Sequence, residues 1–213
     1  MDRSSPPGDV LAVYVKSPDP GRVKTRLAKA MGPEAAAELY RRLGRGVVAD
    51  TISTSSHRTV VWYDPPEGGP AVRAWLDGLA VDAFIAQRSG GLGQRMMGTF
   101  ARHFRQGASR VVLIGSDCPT LDRATLRRAF DALSQNDLVL GPSQDGGYYL
   151  IGLSAPAPGL FRRVAWSTPE VLAQTIGNAV RLGLRVAALQ TLRDIDTVDD
   201  ARALGWLSLP ACS

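Results

Sequence analysis

Cysteine, long apolar runs and internal repeats are what this 213-residue sequence has least of. Its two cysteines, Cys118 and Cys212, stand far apart, which excludes a disulfide framework or a zinc site of CxxC spacing; both are expected as reduced thiols. No window approaches the run of about eighteen apolar residues that a membrane span requires, and the opening MDRSSPPGDV lacks the apolar stretch of a secretory signal. A cytoplasmic, soluble protein with no membrane partner is the expectation. No repeat with a period of about 20 to 50 residues is visible. The only biased stretch is DPPEGGP at Asp64 to Pro70, which reads as a turn.

What is present suits one sizeable core. A hydrophobic content of 45% over this length predicts a single domain spanning residues 1–213. The formal charge of +5 suits an anionic partner. Arginine pairs at Arg41/Arg42, Arg127/Arg128 and Arg162/Arg163 read as solvated helix surface, without the interleaved aromatics of a strand-binding face, so nucleic acid is not expected as a partner.

Apolar, β-branched runs predict strands at 10–15, 59–63, 83–86, 110–114, 138–140, 148–153 and 185–189. Helical periods are clearest at 33–53, 93–104, 123–133 and 169–182, with proline early in two of them. Alternation of strand and helix predicts an α/β fold with a mostly parallel, doubly wound sheet. The run 148–153 follows a strand and a glycine loop so closely that it could pair antiparallel and make the sheet mixed.

Four loops could carry chemistry. After the first strand, KSPDPGRVKTRLA gathers Lys16, Arg22, Lys24 and Arg26 around Gly21, a polyphosphate cradle or a solvated basic loop. Its glycine spacing is neither that of a Walker loop nor GxGxxG. The strand RVVLIG ends in SDCPTL, so Asp117 emerges at a carboxyl-terminal strand end, where one carboxylate and a distant partner would suffice for magnesium; a turn cap is the plainer reading. Next to it Cys118 reads as a small buried hydrophobe. In GPSQDGGYYLIGL, Asp145, Gly146 and Gly147 beside Tyr148 allow close ligand approach or form an ordinary hairpin turn. In LRDIDTVDD, Thr197 with Asp200 reads as a capping box, leaving Asp196 or Asp194 to join Asp117 on a metal if the sheet brings the loops together. The tail beyond Leu204, with Trp206 and Pro210, is expected to pack back or fray.

Taken in order, GRVKTRLA, GLGQRM, LIGSDCPTL, GPSQDGGYYLIGL, WST at Trp166 to Thr168 and DIDTVDD resemble the bacterial DUF2064 family over residues 10–204. The resemblance implies a GT-A, Rossmann-like three-layer α/β/α sandwich of the nucleotide-diphospho-sugar transferase superfamily. It further implies a magnesium or manganese cofactor on Asp117 and Asp196, and Lys24 and Arg26 on the phosphates. Gly91, Gly93 and Gln94 would meet the base, although GLGQRM departs from the usual base-reading pattern of the nucleotidyltransferase relatives. Asp145 would act as base on an acceptor hydroxyl, with Gly146, Gly147, Tyr148, Trp166 and Ser167 lining the substrate pocket. SDCP lacks the DxD of many GT-A glycosyltransferases, since Gly stands at position 115. The implied partners are a nucleotide or nucleotide-sugar and a small-molecule acceptor. Glycosyl transfer from a nucleotide-sugar leads on the family label, nucleotidyl transfer is the alternative, and a non-catalytic nucleotide-binding module is the second alternative.

Overall fold

The computed structural model describes residues 8–52 and 56–207. Seven strands, β1 (Asp9–Lys16), β2 (Arg58–Asp64), β3 (Ala83–Ala86), β4 (Arg110–Ile114), β5 (Leu138–Pro142), β6 (Tyr148–Leu153) and β7 (Val186–Ala188), form one sheet in the order β3-β2-β1-β4-β6-β5-β7. All seven expected strands are present. Only β6 runs against its neighbours, pairing antiparallel with both β4 and β5, so the sheet is mixed but mostly parallel.

The helices are α1 (Thr25–Met31), α2 (Pro33–Thr51), α3 (Gly69–Trp75), α4 (Leu92–Arg105), α5 (Arg123–Ala132), α6 (Val171–Arg181) and α7 (Val198–Ala203). Period-two alternation along β1 sends Leu11, Val13 and Val15 to one face, and Val10 and Ala12 to the other. Both faces are covered, which is why this parallel strand reads as an unbroken apolar run. On the first face lie Leu27 of α1, Leu39 and Leu43 of α2, Val72 of α3, Leu126 and Phe130 of α5 and Ala201 of α7. Met96 and Phe100 of α4 and Ala179 of α6 cover the second. The result is the expected three-layer sandwich. Truncating a fully buried core side chain such as Leu43 to alanine costs about 2–5 kcal/mol.

Several local expectations are corrected. DPPEGGP is not a plain turn: a 3-10 turn at Pro66–Gly68 runs directly into α3, with Pro70 in the first helical turn where its missing N–H costs nothing. The basic loop closes earlier than expected, because α1 begins at Thr25 and buries Leu27. Arg162 and Arg163 lie on no helix but in the loop between the 3-10 turn Pro158–Phe161 and α6. Trp206 packs back on the core, while Ser53, Pro210 and Cys212 lie outside the described residues. Among the described residues, no helix is long and apolar enough to cross a membrane.

Candidate active site

Every strand except β6 points its carboxyl end to the same edge of the sheet, so the loops after β1, β3, β4 and β7 and the β5–β6 hairpin gather there. Tyr40 of α2 ties two of these strand ends together. Its hydroxyl accepts the Lys16 N–H at 2.9 Å and shares a hydrogen bond with Ser116 Oγ, also at 2.9 Å. The loop after β7 is stitched on by the Ile195 N–H, which donates to the Asp117 carbonyl at 2.9 Å.

This stitching brings together the residues expected to handle phosphate and metal. Lys24 Nζ lies 2.5 Å from the Ile195 carbonyl and 3.1 Å from Asp117 Oδ1, its side chain only 6% exposed. The contact with Asp117 is an ion pair without hydrogen-bond alignment; the Asp117 side chain is 46% exposed, yet its Oδ1 is buried and receives no hydrogen bond. Asp194 Oδ1 is in the same condition. Burial, reinforced by the nearby charges of Asp117 and Asp145, pushes the Asp194 carboxyl up to about 7, against the opposing pull of Lys24. Asp196 instead pairs at 2.7 Å with Arg26, both largely open to solvent.

Two carboxylates, each with a buried oxygen that accepts no hydrogen bond, form the hard-oxygen set that a magnesium-like cation needs beside substrate phosphates. Among the described residues, no three His, Cys, Asp or Glu side chains group closely enough to hold a metal by themselves. The residues therefore fit a cation shared with a ligand. Asp194, left as an alternative to Asp196 by the sequence, lies deeper beside Asp117, whereas Asp196 faces Arg26.

The β5–β6 hairpin borders this cluster. Asp145 Oδ1 accepts from Ser143 Oγ at 2.5 Å and from the Gly147 N–H at 2.9 Å, so Asp145 shapes the turn as well as facing Asp194. Gln144 bonds the next loop on both sides, through its N–H to the Leu192 carbonyl and its Oε1 to Arg193 Nε. Gly146, at φ 87°, lies so close to the Pro169 carbonyl that no side chain could replace its hydrogen.

A second group forms around that contact. Gly93 packs under the Trp166 indole, where an added Cβ would stand 2.6 Å from Nε1. The expected base-reading and WST segments are therefore neighbours. Gln94 Oε1 accepts the Gly91 N–H at 3.1 Å, so its amide caps the start of α4. Lys16, Gly21 and Ser167 are exposed at the edge, and Ser167 holds a φ of 65°. The non-glycine residues at positive φ among the described residues are Lys24, Arg163 and Ser167, of which Lys24 and Ser167 lie in loops of this edge.

Tyr148 is the first residue of β6, next to the hairpin. Its ring packs into the core face under α6 and its hydroxyl is buried, which raises its pKa. An alternating strand offers only one of two adjacent tyrosines to each face, and Tyr149 goes to the other, where its hydroxyl donates to the Gln190 carbonyl. Cys118 is buried at 2% exposure and its thiol is pushed up to about 11, as befits a packing residue. Sequence reasoning also passed over Asn178. Its buried amide donates to the carbonyls of Leu160 and Arg162 and fixes the loop that carries Trp166; no sequence signal distinguishes it from other helix residues.

Fold and relatives together make this a transferase of the nucleotidyltransferase or nucleotide-diphospho-sugar transferase kind. Residues 47–168 match DUF2064, a family described as uncharacterized proteins conserved in bacteria, and the chain belongs to it. A crystal structure from Desulfovibrio desulfuricans G20, provisionally named a nucleotide-diphospho-sugar transferase, is 33% identical and superposes with a TM-score of 0.87 over 92% of this chain and 86% of its own. The phosphoenolpyruvate guanylyltransferase of Chloroflexus aggregans is 26% identical over 187 residues, 85% of this chain and 88% of the relative. A Mycobacterium tuberculosis H37Rv protein solved in complex with manganese shares the fold at 20% identity and a TM-score of 0.50, over 92% of this chain and 97% of its own.

Proposed function

We propose that this protein transfers a nucleoside monophosphate from a nucleoside triphosphate to a phosphorylated small-molecule acceptor, with release of pyrophosphate. The observation that carries the reading is the pair Lys24 and Arg26 at the start of α1, each set against an acid from a facing loop, Asp117 and Asp196. A triphosphate needs this combination of cations for its oxygens and carboxylates for its metal. An acceptor phosphate is already anionic and needs no base. Its oxygen forms a bond to the α-phosphorus as the bond to the bridging oxygen of the departing pyrophosphate breaks. Lys24 and Arg26 offset the charge that collects on those oxygens.

Asp117 with Asp194 or Asp196 would hold a magnesium or manganese ion, which when bound supplies charge neutralisation and orientation at the phosphates. Gly91, Gly93 and Gln94 would border the base, and the segment Trp166 to Thr168 with Gly146 and Gly147 would wall the acceptor. Glycosyl transfer, first in order from the sequence, asks Asp145 to act as a base, yet its Oδ1 is engaged by Ser143 and Gly147. The guanylyltransferase relative supports the nucleotidyl reading and makes GTP the first triphosphate to try.

The test is pyrophosphate release from each of the four nucleoside triphosphates with magnesium or manganese and a panel of phosphorylated acceptors, run beside a panel of nucleotide-sugars. Pyrophosphate formed only with a triphosphate and an acceptor is the expected result. Nucleoside diphosphate released from a nucleotide-sugar would restore glycosyl transfer, and binding without turnover of any donor would leave a nucleotide-binding module.

A further inference from the structure

Lys24 occupies an unusual place for a residue meant to greet phosphate. Its ammonium is not at the mouth of the loop but inside the acid cluster, 6% exposed, between a carboxylate oxygen of Asp117 and the carbonyl oxygen of Ile195, with Asp194 close by. Carboxylate and carbonyl oxygens are the donor types that a hard divalent cation takes. The backbone is held in the left-handed region at this residue, φ 48° and ψ 46°, a conformation that a side chain with a β-carbon adopts at a cost.

The choice of residue is also informative. Only three of the chain's 25 basic residues are lysines, Lys16, Lys24 and Lys29, and the rest are arginine. A guanidinium is a planar fork, whereas an ammonium is a compact, point-like cation that can stand where a metal ion stands.

We infer that Lys24 is a tethered counter-ion of the acid cluster, filling the cation position until a divalent metal and the nucleotide enter together, when its ammonium moves to the phosphates. The inference rests on the metal reading proposed above. Two functions follow from one side chain. Without ligand, Lys24 offsets the cost of burying one carboxylate oxygen each of Asp117 and Asp194, which accept no hydrogen bond there. With metal alone, the displaced ammonium has no new partner, so metal affinity is held down. With nucleotide present, the polyphosphate receives it, and the two ligands strengthen each other's binding.

Manganese binding to the full chain, measured by titration calorimetry at pH 8 without nucleotide, tests this. Lys24→Met is expected to bind manganese at least about tenfold more tightly than the unaltered protein, in spite of losing affinity for the triphosphate. Equal or weaker manganese binding overturns the inference. A measurement on the unaltered protein covers the case in which the variant does not fold. Lysine acylation read by mass spectrometry, with exposed Lys29 as internal reference, should find Lys24 protected alone, reactive with manganese, and protected again when a non-hydrolysable triphosphate is added. An acylation rate at Lys24 indifferent to manganese overturns the inference while leaving the metal site intact. If the protein binds manganese neither alone nor with the triphosphate analogue, the metal reading itself fails and this inference falls with it.

Discussion

Strands β1 and β4 lie side by side and have an acid and a base at each end, yet the two ends are built to opposite rules. At the amino-terminal end Arg110 donates to both oxygens of Asp9, through Nε and Nη2 at 2.7 Å each, and its remaining Nη1 reaches the Phe130 carbonyl at 2.7 Å. All three guanidinium nitrogens and both carboxylate oxygens there are engaged. At the carboxyl-terminal end Lys24 meets Asp117 off the hydrogen-bonding direction, Asp194 has a buried oxygen with no donor, and the lysine backbone is in a disfavoured region. One end closes the sheet; the other withholds its hydrogen bonds for a ligand.

The largest expected effect lies at the open end. Asp117→Asn should lower transfer activity by about 100-fold or more while changing the melting temperature little, because the repulsion with Asp194 that it relieves offsets the ion pair with Lys24 that it removes. A fall in stability matching that of an Arg110 variant would erase the distinction between the two ends.

His103 of α4 sharpens the comparison from the closed side. It is 2% exposed and takes a hydrogen bond from the Trp62 indole N–H at 3.2 Å, and burial lowers its pKa from 6.5 to about 4. As pH falls the unfolded chain therefore takes up this proton first. Stability due to the neutral ring is complete above pH 6.5 and is lost between there and about 4, up to about 3 kcal/mol. Urea melts of the unaltered protein and His103→Gln at pH 7 and 4.5 check this; an identical pH dependence for the two would remove His103 as the cause.

Next in size, Arg110→Ala should cost about 2 kcal/mol, less than for a fully buried pair because Arg110 is partly open to solvent. Transfer activity should change by less than about twofold once stability is accounted for. The smallest effect belongs to Thr197, whose hydroxyl accepts the Asp200 N–H and caps α7 directly beside the acid cluster. Thr197→Ala should lower stability by about 1 kcal/mol in thermal melts, and a large activity loss would show that the cap also sets the position of Asp196.

The sequence disclosed more of the sheet than of the site. Val10 to Val13 and Val111 to Ile114 announce themselves as strands because burial on both faces leaves them no polar positions. Helices α1 and α3 were hidden by their entrances, a basic loop and a Pro/Gly cluster, whose local signals are those of turns. Asp117, Asp194 and Lys24 could be named one by one, but their meeting depends on the loop after β7 reaching the end of β4 across the two strands of the reversed hairpin, and no spacing in the chain records that. Tyr148 was placed by nearness in sequence to Asp145, where the two-residue period of β6 sends it into the core.

The reversal of β6 has a further meaning. In a wholly parallel sheet each strand supplies one loop to the ligand edge, and its other end is spent on the return crossover. Because β6 enters the sheet from the ligand edge, the five residues 143–147 form a loop held on both sides by strands, and the Gly146 carbonyl ties that loop to α6 by accepting the Leu172 N–H at 3.0 Å. Within that loop the side chain of Gln144, exposed and bonded only to Arg193, is the one that can change at least cost to the fold and so alter which acceptor is admitted. Relatives with the same phosphate machinery and different acceptors should differ first there.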